Sequence, residues 1–148
     1  MVILETPYVN ITFREEIKVL LLCWLKKPTL AVLRDTYTQA LAFVEAHPFI
    51  VRYCADQTLI GALTREQENW LMQEFYPTVY RRLEEGICAA IVLSEEHFNA
   101  IIMNYQATTL LPEQEFIQMN YFTELEEALS WLEEVKSGQD TALLPSPS

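Results

Sequence analysis

The chain of 148 residues has little glycine: only Gly61, Gly86 and Gly138. A phosphate-cradling loop of the Walker or dinucleotide type needs clustered glycines, so both are excluded. Histidine is scarcer still. His47 and His97 are the only imidazoles, and neither belongs to a ligand-spaced cluster. The three cysteines, Cys23, Cys54 and Cys88, are odd in number, far apart and set in apolar runs. They read as reduced, buried thiols of a cytoplasmic protein, not as a disulfide framework or a zinc site. Long apolar runs are missing too. The longest, Val19 to Leu25, is too short to span a bilayer. The opening Met1-Val2-Ile3-Leu4-Glu5 has no basic stretch, so no signal peptide is expected.

Basic residues are few after the middle of the chain. Residues 1–83 carry nine acids and nine bases, whereas residues 84–148 carry twelve acids and only Lys136. The formal charge of -11 therefore belongs to the second part. Such a surface repels phosphate backbones, which argues against a nucleic-acid partner. With 51% hydrophobic residues the chain can bury a core.

Hydropathy alternates from Pro7 to Phe13, a half-buried strand. Lys18 to Trp24 is apolar on both faces, as an interior strand would be, and pairs with the first as an antiparallel hairpin. Leu30, Leu33, Tyr37, Leu41 and Val44 then recur at helical spacing, and Pro48 stops that helix. Phe49 to Ala55 forms a third strand, with Asp56 at its carboxyl end. Thr64 and Gln67 fit a capping box for a helix that Pro77 interrupts and Gly86 ends. Ile87 to Leu93 is a central strand. Ser94 caps the next helix, whose inner face is Phe98, Ile101, Ile102 and Tyr105. A loop with Pro112 leads to an edge strand, Phe116 to Phe122. Thr123 and Glu126 suggest a second capping box, before a helix striped with Leu125, Ala128, Leu129 and Leu132. The expected architecture is one α/β domain, residues 1–136, with a five-stranded mixed sheet and about four helices. Residues 137–148 read as a loose tail.

Several residues resemble those of the bacterial SpoIIAA-like proteins of the STAS/SEC14 type. They are a strand ending in Asp56, a capped helix with Trp70, then Pro77, Gly86 and Ala89-Ala90. Phe122, Glu127-Ala128 and Trp131-Leu132 close the set. The likeness covers residues 7–135. It implies a small mixed-sheet domain that works by contacting other proteins, some members also binding nucleotides or apolar ligands; no cofactor is expected here. Members that act as anti-sigma-factor antagonists carry a phosphorylatable serine after the third strand. Here Gln57 and Thr58 follow Asp56, so that serine is missing.

In open α/β sheets ligands bind beyond the carboxyl ends of the strands. Those ends hold Trp24 with Lys26 and Lys27, then Asp56 with Gln57 and Thr58, then Ser94. The stretch Trp70, Phe75, Tyr76, Tyr80, Arg81 and Arg82 combines the residue types of interface anchors. The expected contact surface joins these nine: Asp56, Gln57, Thr58, Trp70, Phe75, Tyr76, Tyr80, Arg81 and Arg82. Its partner would be another protein or a second copy in a homodimer. The alternative is a carrier or sensor of a small apolar molecule or lipid, held between helices and sheet. Catalysis finds no support. Cys54 and His47 are about 20 Å apart along the strand between them, too far for a nucleophile and its base. The paired glutamates at 84–85, 95–96, 126–127 and 133–134 point apart on their helices and read as a solvated face.

Overall fold

The computed structural model describes residues 1–47, 50, 52–83, 86–103 and 117–135. They form an α/β structure around one mixed sheet of six strands in the order β1-β2-β3-β4-β5-β6. The strands are β1 (Val2–Glu5), β2 (Val9–Arg14), β3 (Val19–Trp24), β4 (Arg52–Asp56), β5 (Ile87–Val92) and β6 (Ile117–Phe122). β1 pairs antiparallel with β2, β2 pairs antiparallel with β3, and β3 to β6 run parallel.

The sixth strand, β1, departs from the five expected. Four residues are too few to show a period in sequence. Pairing with β2 holds them, and the terminal ammonium of Met1 donates to the Phe13 carbonyl at 3.1 Å. A register shift between Val2 and Leu4 bends this edge.

The helices are α1 (Leu30–Ala46), α2 (Arg65–Trp70), α3 (Tyr76–Leu83), α4 (Glu95–Met103) and α5 (Leu125–Glu134). A π turn, Leu71–Phe75, joins α2 directly to α3. The regular α pattern is interrupted just before Pro77, as expected, but by a π turn within a coil that continues through the proline to Leu83. The proline ring would crowd the carbonyl of residue 73 in a regular α-helix. The π turn widens the coil just before it, with the Tyr76 N–H bonded to the Leu71 carbonyl.

Alternation along the strands sends residues to two layers. On one face Val9, Ile11, Leu20, Leu22, Trp24, Ile87 and Ala89 meet α1, the π turn and α3. Phe98 of α4 packs near Ala55, Ile91 and Leu93. On the other face Val19, Leu21, Cys54, Ala90 and Val92 meet Ala128 and Leu132 of α5. Arg52 is buried on that face, 9% exposed, and its Nη1 donates to the Leu132 carbonyl at 3.0 Å. A cation thus satisfies a carbonyl in the last turn of α5, where the helix dipole favours it.

The Thr64–Gln67 capping box is present in both directions, with Thr64 N–H to Gln67 at 2.9 Å and Gln67 N–H to Thr64 at 3.1 Å. Gln67 also donates to the Pro28 carbonyl at 2.8 Å, tying the start of α2 to the start of α1. Ser94 caps α4 as expected, and Thr29 caps α1 in the same way. The second capping box is corrected. Glu124, not Thr123, occupies the cap of α5, with no side-chain cap bond. Burial of Ala128 and Leu132 against the sheet sets where the first turn begins. Expected features at Pro48, Phe49, Tyr105, Pro112, Phe116, Glu84–Glu85 and the tail 137–148 lie outside the described residues.

Candidate functional site

The parallel strands end together on one side of the sheet, and the expected residues after β4 lie there. Asp56 accepts two hydrogen bonds on Oδ1 from Thr58: one from the backbone N–H at 3.0 Å and one from Oγ1 at 2.8 Å. This is an Asx turn reinforced by the hydroxyl. Gln57 N–H bonds to the Val92 carbonyl at 2.8 Å, and Ile60 N–H bonds to the Gln57 carbonyl at 3.2 Å. Gln57 and Ile60 are buried. Gly61 follows at φ +71°, a left-handed conformation that only glycine adopts without strain.

Between these anchors Leu59 stands 69% exposed, the most exposed of the large hydrophobic side chains among the described residues. Leu25, just past β3, is 38% exposed. Lys26, beside it, lies 5.6 Å from the Tyr8 ring centre. Neither leucine belongs to the nine expected contact residues. Each leucine adjoins an apolar neighbour, Ile60 or Trp24, so the sequence does not separate it from a core position.

The aromatic stretch divides between core and surface. Tyr76 is buried, and burial pushes its hydroxyl pKa well up. Trp70 and Phe75 are half-buried and stack on each other at 5.5 Å, with Tyr37 edge-on to Phe75 at 4.9 Å. Burial also raises the Tyr37 hydroxyl to about 12, against a smaller opposing pull from the Trp24 indole. Tyr80 stays 44% exposed. Arg81 donates to the Thr78 hydroxyl at 3.1 Å. Arg82 forms a forked pair with Glu45 at 3.1 and 3.0 Å.

That pair places Arg82 far from Asp56. Glu45 lies in the last turn of α1, while Thr29 caps its start beside Pro28 and Gln67. The sixteen residue steps from Thr29 to Glu45 rise about 24 Å along the helix. The structure therefore gathers Asp56, Gln57 and Thr58 at one end of the sheet and carries Arg82 to the other.

Of the three thiols, Cys54 is buried, while Cys23 and Cys88 are only half-buried. Burial first, then the Asp56 charge, raises the Cys54 pKa to about 12. Cys23, paired in register with Asp56, is raised by burial and then by that carboxylate. Burial raises Cys88 against a pull from Arg52. His47 is held by its own helix, with Nδ1 2.9 Å from the Phe43 carbonyl. Among the described residues no group of three or more His, Cys, Asp or Glu side chains could hold a metal ion. No described helix is long and apolar enough to cross a membrane. No family model matches the chain, and no curated protein or solved structure matches it.

Proposed function

We propose that this chain is a non-enzymatic, cytoplasmic interaction domain of the STAS-like kind, with its contact surface centred on the turn from Asp56 to Ile60. One observation carries this reading: Leu59 is 69% exposed on a turn held by hydrogen bonds on both sides. Exposing a leucine on a pinned turn costs burial energy and gives a preordered apolar anchor. An anchor already fixed loses little conformational entropy on association. The partner is a second protein surface with an apolar recess for Leu59. Thr58 spends its hydroxyl on Asp56, which supports contact without a phosphorylation switch. Tyr80 and Arg81, at the far end of the rod, are outside this surface.

The test is Leu59→Lys, made in the full chain. The exposed position predicts an unchanged thermal midpoint. The mass of the native complex, measured by light scattering, is expected to fall to that of the lone chain. A complex that survives the substitution with unchanged affinity contradicts the reading.

A further inference from the structure

The layer between α1, α3 and the sheet is not filled. A cavity of about 40 Å³ lies there. Leu41, Val44 and Val79 form its roof, and Leu20, Leu22 and Ile91 its floor. Three further wall positions are alanine, at Ala40 on α1, Ala55 on β4 and Ala89 on β5. All three are buried. A methyl group is the longest side chain at each, so helix and sheet layers meet there without interdigitating.

The wall offers water little. The Tyr53 hydroxyl, on the rim, already donates to the Ile50 carbonyl at 2.7 Å. Tyr37 and Tyr76 also line it, the rest of the lining is aliphatic, aromatic or thiol, and the surface facing the cavity is almost wholly apolar. A buried water needs two to four polar partners, and an apolar void without them stays dry. Atoms lining a dry void lack dispersion partners on one side. An apolar guest restores those contacts and displaces no hydrogen-bonded water.

We propose that this cavity is a binding site for small, uncharged, apolar molecules. Its volume sets the size class. One water-sized group needs roughly 10–15 Å³ of such space, so about three groups fit. A void that takes a benzene ring is nearer to about 150 Å³. Xenon and three-carbon hydrocarbons therefore match the site, while an aromatic ring or an acyl chain exceeds it. Phe75 and Tyr53 are the half-buried members of the wall, and Phe75 sits in the π turn. The entry route runs past these two rings. The site is separate from the Asp56–Ile60 turn and does not rest on the contact reading.

Methyl NMR of the full chain under a series of xenon pressures tests this. The methyls of Leu41, Val44, Val79 and Ile91 are expected to shift and saturate. Those of Leu129 and Leu132, beneath α5, are expected to stay in place. Cyclopropane should compete with xenon, and benzene should not. Ala89→Val should weaken xenon binding at least tenfold, and Ala55→Val provides the same check should the first variant fold poorly. Shifts that grow linearly without saturation, or equally beneath α5, overturn the site. Benzene competing as well as cyclopropane overturns its size class.

Discussion

Asp56 and Thr58 hold each other. One carboxylate oxygen takes both the amide and the hydroxyl of the residue two positions on, at 3.0 and 2.8 Å. The pair closes the turn that leaves Leu59 in solvent. Asp56→Ala removes the acceptor for both bonds and is expected to cost about 1–3 kcal/mol, since bonds to charged groups are the stronger kind. Asp56→Asn keeps an acceptor oxygen in place and should cost less than half as much. Chemical denaturation of both variants checks this, and equal losses would contradict the role given to Oδ1.

Gly61 ends the same turn at φ +71° with open space where a Cβ would lie. The expected cost of Gly61→Ala is therefore backbone strain alone, about 1 kcal/mol. Gly61→Asn should cost less, because asparagine tolerates the left-handed region. Thermal unfolding of the two variants measures the difference.

Two arginines should behave oppositely. Arg52 is buried and satisfies the Leu132 carbonyl, so Arg52→Ala leaves that acceptor and a void behind, at about 2–3 kcal/mol. Arg82 and Glu45 are well exposed, with side chains at 54% and 37%. Solvent and salt screen that pair, and Arg82→Ala should cost at most about 0.5 kcal/mol. Denaturation in low and high salt separates the two.

Filling the void offers an independent energetic check. At about 24 cal/mol per Å³, an empty space of about 40 Å³ costs about 1 kcal/mol. Ala89→Val should recover part of it, up to about 1 kcal/mol, where the added methyls fit. Calorimetry reads this as a raised unfolding midpoint.

His97 sets a pH dependence. Burial lowers its folded pKa below the usual histidine value. The unfolded chain therefore binds the extra proton more readily, and stability falls as pH drops below about 6.5. The decline stops once pH is below the folded pKa as well. His97→Gln should remove this part of the slope between neutral and mildly acidic pH, and urea titrations across that range would show it.

Much of the architecture was legible in the chain because it rests on local rules. The alternation in Val9, Ile11 and Phe13, the apolar run into Trp24 and the Thr64–Gln67 box all answer to period and cap chemistry. The misses have other causes. β1 exists through pairing with β2, the rod through Pro77 exists through a compensating π turn, and the start of α5 follows the burial of Leu132. β1 and the start of α5 depend on packing partners elsewhere in the chain, and the π turn is a local adjustment that carries no period of its own in the sequence. The contact residues show the same divide. Asp56 and Thr58 were visible as a strand end, but the separation of Arg82 from them follows from the length of α1 and the Arg82–Glu45 pair.

Site-specific photocrosslinking addresses the central claim most directly. A benzophenone side chain replaces Leu59 in one preparation and Asp35, an exposed position on α1, in another. The expected result is a discrete adduct with one protein, or with a second copy of the chain, from position 59 and not from position 35. The absence of an adduct from position 59, or the same adducts from both, would contradict a contact surface at this turn.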